Sequence, residues 1–431
     1  MLKSYMIFYP VLQAEESFGP AERIGKPMYD VIVIGGGASG MTAAVCAARN
    51  GKRVLLLEKN NKLGRKIAAS GNGKCNLTNA LISTECYHNA YPKELASVLN
   101  QCDREVILQF MKSLGIRCKE KKGYYYPMSE QAAVVVQMLQ AELEHLKVTV
   151  ILEERFLELR SDNGGFCVVT EKTRYHADKI ILACGGMAAP KLGAENTGYL
   201  MLKKLGHNVI EPIPALVQML AKERYIKKIS GVRSEAKICL KTGERQYCEA
   251  GEIIFTDNGI SGIPVFQLSR YVAESLNRGE RPQLSVNLVP NCEPAEFVHE
   301  IREMMQYNPQ LPVEFLFRGY CNHKVVYALL CESGLDAAMP CKEAKWSEIE
   351  KFIMLLFAIP FQITGTNGFE QAQVTRGGVP LYEINPDTME SKIIPGLYIT
   401  GELLDIDGMC GGYNLHFAWA TGMLAGAAVS A

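Results

Sequence analysis

Nowhere in its 431 residues does this chain carry about twenty consecutive apolar residues. Its longest apolar stretches, residues 352–363 and 417–431, are shorter and broken by proline or glycine, so they read as buried elements and no membrane is expected. Net charge is missing too, with 46 Lys plus Arg against 46 Asp plus Glu. Without a global field to gather polyanions, nucleic acid is not expected as a partner. The fourteen cysteines contain no CxxC or CxxxxC pair. That pattern argues against a dithiol relay and for reduced thiols in a reducing compartment, hence a cytoplasmic protein. The seven histidines lack HxxH and HExxH spacing, and Cys321-Asn322-His323 stands alone, so no metal is expected. Gly259-Ile260-Ser261-Gly262 is not a GxSxG elbow, which removes the usual hydrolase signature. Repeats and low-complexity tracts are absent. The opening apolar patch, residues 5–12, is broken by Pro10 and lacks a small-residue cleavage site, so it does not match a signal peptide. Residues 1–27 are expected to be an extension outside the core fold, as an upstream start codon before Met28 would produce.

What is present begins with GGGASG at residues 35–40, between the apolar run Val31-Ile32-Val33-Ile34 and a helical stretch, residues 38–49. Gly35 permits a tight turn, Gly37 lets backbone approach a phosphate, and Gly40 lets the helix pack on the strand. The amides of Ala38 and Ser39 then meet a pyrophosphate at a positive helix end. Residues 54–57 form the next apolar run and end in Glu58, 18 positions beyond Gly40, where a carboxylate can accept from both hydroxyls of an adenosine ribose. An acid there disfavours a 2′-phosphate. Near the other end, residues 397–400 lead into Gly401-Glu402, and Gly411-Gly412-Tyr413-Asn414-Leu415 opens a closing helix. Amides at that helix start, from Asn414 and Leu415, would stabilise negative charge on a reduced flavin around N1 and the C2 carbonyl. One FAD bracketed by both ends of the chain is the expected layout.

Between the motifs, 48% hydrophobic residues suffice for several cores, and the length suggests about three domains. Residues 92–115 read as one or two helices, Ser129 as the cap of a helix running to His145, and residues 148–152 as a strand. Asn163-Gly164 turns strand 156–159 into strand 166–170, and residues 180–183 run into Cys184-Gly185-Gly186, a turn placed near the cofactor. From Pro212 the pattern becomes alternating and turn-rich, with strands at 216–221, 236–240, 252–255 and 283–288. Residues 293–356 are mainly helical, and 360–363 and 370–374 rejoin the β layer. The expected division is an FAD-binding domain at 28–211 and 375–431, a β-barrel domain at 212–290 and 359–374, and a helical insertion at 291–358.

Three segments carry a family likeness. GRKIAASGNGKCNLTN (residues 64–79), GELLDIDGMCGGYNLHFAWATG (401–422) and VTRGGV (374–379) resemble the bacterial BaiN-like NAD(P)/FAD-dependent oxidoreductases, which include aminoacetone-oxidase-like flavoproteins. The resemblance runs from Met28 almost to the end. It implies an α/β fold: a discontinuous, glutathione-reductase-like Rossmann domain for FAD, of the two-dinucleotide-binding-domain type, with β-barrel and helical domains inserted. It also implies that Arg65, Lys66, Ser70, Gly71, Asn76 and Thr78 lie along the cofactor, Ser70-Gly71 near the flavin ring. Lys59, Phe156, Ala183, Gly185, Gly401, Glu402, Asp407 and Gly412 complete the expected contacts. Cys184 stands where relatives often carry threonine, Lys74 where arginine is usual, and FTDNGISGIP (255–264) varies on a shorter FTHxGxSGP pattern. These departures bear on substrate rather than on FAD.

Because flavin itself accepts the hydride, side chains need only orient a substrate, and no catalytic residue is assigned. Tyr124-Tyr125-Tyr126, Arg376 and His416 could border a pocket, although a tyrosine run in a strand and a histidine in a helix commonly serve packing. A second GxGxxG is absent, which leaves NAD(P)H only as a transient electron donor. The expected activity moves a hydride between flavin N5 and a small organic substrate, by amine oxidation or enone reduction. The alternative is a non-catalytic redox sensor or RNA-modification scaffold, opposed by the neutral charge. Oligomeric state is left open.

Overall fold

The computed structural model describes residues 29–88, 90–162 and 164–430. The expected extension at 1–27 and Asn163 of the expected turn lie outside them. The first parallel unit is β1 (Tyr29–Ile34), α1 (Ala38–Arg49) and β2 (Val54–Leu57). Every β2 side chain and the last four of β1 are buried, as befits strands covered on both faces. A long excursion follows: α2 (Arg65–Ala69), β3 (Thr78–Asn79), β4 (Tyr87–His88), α3 (Pro92–Gln101), α4 (Arg104–Ser113), the hairpin β5 (Cys118–Lys121) and β6 (Tyr124–Pro127), α5 (Ala132–His145) and β7 (Thr149–Ile151). The helix assigned to a Ser129 cap begins at Ala132 instead, with Gln131 as its N-cap. Glu130 takes φ +50°, a left-handed conformation that delays the helix.

The meander β8 (Phe156–Asp162), β9 (Gly165–Thr170) and β10 (Arg174–Leu182) completes the sheet β7-β2-β1-β10-β9-β8. β10 is shared: residues 174–177 pair antiparallel with β9, while residues 180–182 pair parallel with β19 (Leu397–Ile399). That second pairing returns the end of the chain to the sheet begun by its start.

After α6 (Thr197–Lys204) and β11 (Ile210–Ala215) comes a closed six-stranded barrel. Its members in chain order are β12 (Met219–Ala221), β13 (Arg233–Thr242), β14 (Arg245–Thr256), β15 (Gly259–Gly262), β16 (Gln283–Asn287) and β17 (Ile359–Thr366). Along β13 the inward set Ala236, Ile238, Leu240 and Thr242 alternates with exposed or half-buried residues, the period-two signature of a sheet with one wet face. Between β15 and β16 lies α7 (Ile263–Asn277), a 15-residue helix absent from the sequence reading, though Pro264 in its first turn is a start signal. α8 (Pro294–Tyr307), α9 (His323–Glu332) and α10 (Trp346–Phe357) precede β17, and their Phe297, Val326 and Phe352 join one apolar cluster with the barrel's Leu240, Phe255 and Phe361. Helical insertion and barrel therefore share a core.

Residues 370–373 form no strand; β18 (Val374–Gly378) pairs with β11 as a two-stranded link outside the barrel. The hairpin β13–β14 also corrects the reading of the cysteines. It sets Cys239 opposite Cys248, and the two are joined by a disulfide. A separation of nine matches no redox motif, but strand pairing makes these residues neighbours. No other disulfide is formed among the described residues. After β19, β20 (Asp407–Gly408) pairs with β4, and α11 (Tyr413–Ala428) closes the fold. Among the described residues no helix is long and apolar enough to cross a membrane.

Candidate active site

The glycines of the β1–α1 turn divide their work as spacing predicts. A Cβ on Gly35, at φ +111°, would lie 2.3 Å from Ala183 O, and one on Gly40 would lie 1.9 Å from Gly35 O. Both positions exclude any side chain because backbone is already there. Around Gly37, by contrast, no atom of the described residues lies within 4 Å of a Cβ. The open face above Gly37 and the first-turn amides of Ala38, Ser39 and Gly40 form a cradle for an anion.

Glu58 closes one side of this cradle, buried at the end of β2. Its Oε2 accepts from Gly36 N at 2.8 Å and its Oε1 from Asn60 N at 2.8 Å, so the carboxylate is fixed by backbone. Arg65 donates to Asn60 Oδ1 at 2.8 Å and to Lys191 O at 2.7 Å, stiffening the same corner. Lys59 and Arg155 both meet Glu195, Lys59 at 2.6 Å. Phe156, next to Arg155, is buried in the sheet core. Asn60 and Glu195 carry no motif and escaped sequence reasoning. Cys184, following Ala183, is held inert by burial, which pushes its thiol up to about 12. Gly185, at φ +74°, has open space around it.

The tail motif meets the first one directly. A Cβ on Gly401 would stand 2.7 Å from Ser39 Oγ. Glu402 Oε2 accepts from Lys66 Nζ at 2.7 Å, and its Oε1 accepts from Thr375 N at 2.6 Å. Thr375 Oγ1 in turn accepts from Met187 N at 2.8 Å and Ala188 N at 3.0 Å. Lys66 and Thr375 thus meet on the Glu402 carboxylate, and the segment at Met187 and Ala188 is tied to it through Thr375.

At the start of α11, Gly412 takes φ +96° and a Cβ there would be 2.8 Å from Asn76 Oδ1. Asn76 Oδ1 is buried and has no hydrogen-bond partner among the described residues. An orphaned buried acceptor facing a helix start asks for a ligand N–H. The first-turn amides of Tyr413, Asn414 and half-buried Leu415 have no intrahelical acceptor. The Asn414 side chain is spent elsewhere, gripping Gly408 through N and O at 2.8 and 2.9 Å. Thr78 Oγ1 meets His416 Nδ1 at 2.8 Å, and burial lowers that imidazole to about 4, so it is neutral near pH 7. Ser70 Oγ donates to Ile67 O at 2.7 Å, and Gly71 turns left-handed at φ +56°.

Asp407 points to the barrel. It is buried and pairs with Arg270 of α7 at 2.7 Å, while Gln267 Oε1 takes Cys410 N at 2.9 Å. Burial raises the Asp407 carboxyl, and the adjacent guanidinium opposes that rise. Arg376 pairs with Glu274, also on α7. Helix α7 therefore fastens the barrel to the glycine loop before α11; Arg270 and Gln267 were not foreseen because nothing local marks them. Of the tyrosine run, Tyr124 Cε1 lies 2.8 Å from a Cβ built on Gly411, and Tyr126 Cε1 lies 3.9 Å from one on Gly71. Burial raises both the Tyr126 phenol and the Cys410 thiol above their usual values. No cluster among the described residues could hold a metal ion.

An open anion cradle, a backbone-fixed carboxylate beside it, and a helix start with an orphaned buried acceptor are groups that fit an FAD. Known proteins show the family and the fold. The model of the HI0933-like protein Rossmann domain matches residues 29–428. A 3-dehydro-bile acid Δ4,6-reductase of Clostridium scindens is 40% identical over 401 residues, covering 92% of this chain and 98% of that protein. A ribosomal RNA dihydrouridine synthase of Escherichia coli is 30% identical over 393 residues, covering 91% and 96%. Among solved structures, the 3-ketosteroid Δ1-dehydrogenase of Sterolibacterium denitrificans in complex with 1,4-androstadiene-3,17-dione shares the fold, with TM-score 0.50 and 13% identity over 93% of this chain and 99% of that one.

Proposed function

We propose, from the premise that this chain belongs to the HI0933-like Rossmann-domain family and is an FAD-dependent oxidoreductase, that it reduces a carbon–carbon double bond conjugated to a carbonyl. One observation carries the choice of direction. The two relatives' names describe reactions that converge on one chemistry: a 3-dehydro Δ4,6 system is a dienone, and dihydrouridine is uridine with the double bond conjugated to its carbonyl removed. The side chains near the helix start favour the same direction. Tyr126 and Cys410 keep their protons at neutral pH, and His416 has Nδ1 committed to Thr78. Such a cleft offers proton donors to a carbanion-like carbon beside a carbonyl.

FAD, when bound, supplies a hydride at N5 and takes electrons from a reductant, for which NAD(P)H as a transient donor is our candidate. The chain's own groups bind and orient. Amides of Ala38, Ser39 and Gly40 take the pyrophosphate, and Glu58 takes the ribose hydroxyls. Lys66 and Glu402 lie along the linking chain, and the amides of Tyr413, Asn414 and Leu415 favour negative charge on the ring. Asn76 Oδ1 accepts from a ring N–H. The substrate's α-carbon is protonated from the Tyr126–Cys410 side. We take the substrate to be a small molecule in the cytoplasm, the bile acid reductase being the more similar of the two relatives compared. Uridine within RNA is the second reading, favoured by the dihydrouridine synthase.

The test is anaerobic. Photoreduced holoenzyme is mixed with a 3-oxo-4-ene steroid, with a uridine-containing ribosomal RNA fragment, or with oxidised amine product. Flavin reoxidation with loss of enone absorbance is expected from the first. Bleaching of oxidised flavin by aminoacetone, with no response to either unsaturated carbonyl, would overturn the proposal.

A further inference from the structure

The hairpin β5–β6 carries, besides Tyr126, side chains that nothing in the preceding account uses. Beside Tyr124 and Tyr126 is a cavity of about 200 Å³, walled by these two rings with Lys74, Lys121, Lys122 and Glu130. This wall is fixed, not a loose tip. β6 pairs with β3, Leu77 N donates to Tyr125 O at 2.8 Å, and Ala80 N donates to Gly123 O at 2.7 Å. Asn79 Nδ2 then donates to Gly411 O at 2.9 Å, tying the same segment to the glycine loop that starts α11. With Tyr124 against Gly411 and Tyr126 near Gly71, the aromatic wall of the cavity borders both glycine loops.

Its charge is one-sided. Glu130 sits between Lys74 at 2.8 Å and Lys119 at 2.7 Å, and these ammonium groups hold its carboxyl down at about 2. One carboxylate therefore serves two cations. Lys121 and Lys122 stand at the hairpin tip, and among the described residues no carboxylate lies within 4.0 Å of either. In a chain with no net charge, a concave patch with three lysines and one committed glutamate is a local excess, placed beside a redox centre. A lysine ammonium is a point charge suited to carboxylate or phosphate, and phenol faces suit an apolar or planar body.

We propose that this cavity selects an anionic substrate: Lys121 and Lys122 take a carboxylate or phosphate carried by the molecule to be reduced, while Tyr124 and Tyr126 pack its body. The assignment rests on the enone reading for what is reduced, not for whether an anion binds. Binding is therefore measured apart from turnover. Wild-type holoenzyme and the K121Q/K122Q double variant are titrated with a saturated steroid carboxylate against its methyl ester, and with uridine monophosphate against uridine, following the visible spectrum of bound flavin. The wild type is expected to prefer the charged member of at least one pair by about tenfold or more, and the double variant to lose that preference. A preference within the steroid pair identifies a carboxylate as the natural anion; one within the uridine pair identifies a phosphate. About 0.5 M salt should weaken binding of the charged probe alone. Equal affinity within both pairs, a spectrum that no charged probe perturbs, or a preference that survives in the double variant overturns the proposal. Turnover of a 3-oxo-4-ene steroid carboxylate is scored separately. If the anion preference is present and no enone is reduced, the enone reading falls and the pocket stands.

Discussion

At the scale of single residues, the three fingerprint glycines separate into two kinds. Gly35 and Gly40 are required by the protein's own backbone, whereas Gly37 faces nothing but the space a ligand would fill. Gly37→Val is therefore expected to leave the fold intact and yield colourless protein. Comparing circular dichroism with flavin absorbance after purification checks this, and a yellow, fully loaded variant would contradict the cradle. His416 makes a prediction about pH. Its folded value of about 4 lies below its unfolded value of 6.5, so stability is fully present above pH 6.5 and is lost as pH falls through 4. At pH 4.5 this one group should cost about 2–3 kcal/mol. Urea denaturation at pH 7.5 and 4.5 measures it against His416→Gln, which removes the titration; an equal acid loss in both proteins would exclude the assignment. Glu58 was legible because strand end and spacing mark it. Asn60 and Glu195, which hold the same corner, belong to no pattern and became neighbours only through folding.

At the scale of elements, the contact between α1 and α11 decides whether the two ends of the chain share one site. Cβ atoms on Gly422 and Gly426 would lie 2.4 Å from Ser39 O and from Ala43 O respectively, so the helices touch backbone to backbone. The sequence analysis did not single out these two glycines; the packing of α11 on α1 shows why no side chain fits there. Gly426→Leu should force the helices apart at a cost of about 1–3 kcal/mol and weaken flavin retention along with it. Thermal unfolding with and without added FAD checks both effects, and an unchanged Tm would show that the helices have room to spare. Other elements were less legible. Helix α7 hid between two strands of a β-rich stretch, and the Ser129 cap failed because a left-handed residue at 130 intervenes. The Cys239–Cys248 bridge depends on the register of β13 with β14, which cysteine spacing alone does not encode.

At the scale of the whole molecule, the barrel is fastened to the tail of the nucleotide domain by a buried ion pair between Arg270 and Asp407, with Gln267 on Cys410 N beside it. Asp407 Oδ1 and Arg270 Nε have no hydrogen-bond partner among the described residues, while Arg270 Nη2 also faces Glu274 at 3.5 Å. Arg270→Met should leave a buried carboxylate uncompensated and destabilise the protein by about 3–5 kcal/mol, while Arg270→Met with Asp407→Leu recovers much of the loss. Chemical denaturation of the single and double variants measures the difference; additive losses would show that the two groups do not act as a pair. The linear sequence by itself determined the class of fold, and it marked a glycine turn, an acid after the next strand and a helix start at the other terminus as candidate flavin contacts. Each of these is written in local spacing: strand, glycine and helix periods act over a few residues. Only the tertiary structure decided that Gly401 meets Ser39, that Lys66 meets Glu402 across the chain, that Asp407 turns to the barrel, and that an unpaired lysine tip stands beside the glycine loop. Those relations join residues more than a hundred positions apart, and such contacts arise from the packing of whole layers, which no local pattern records.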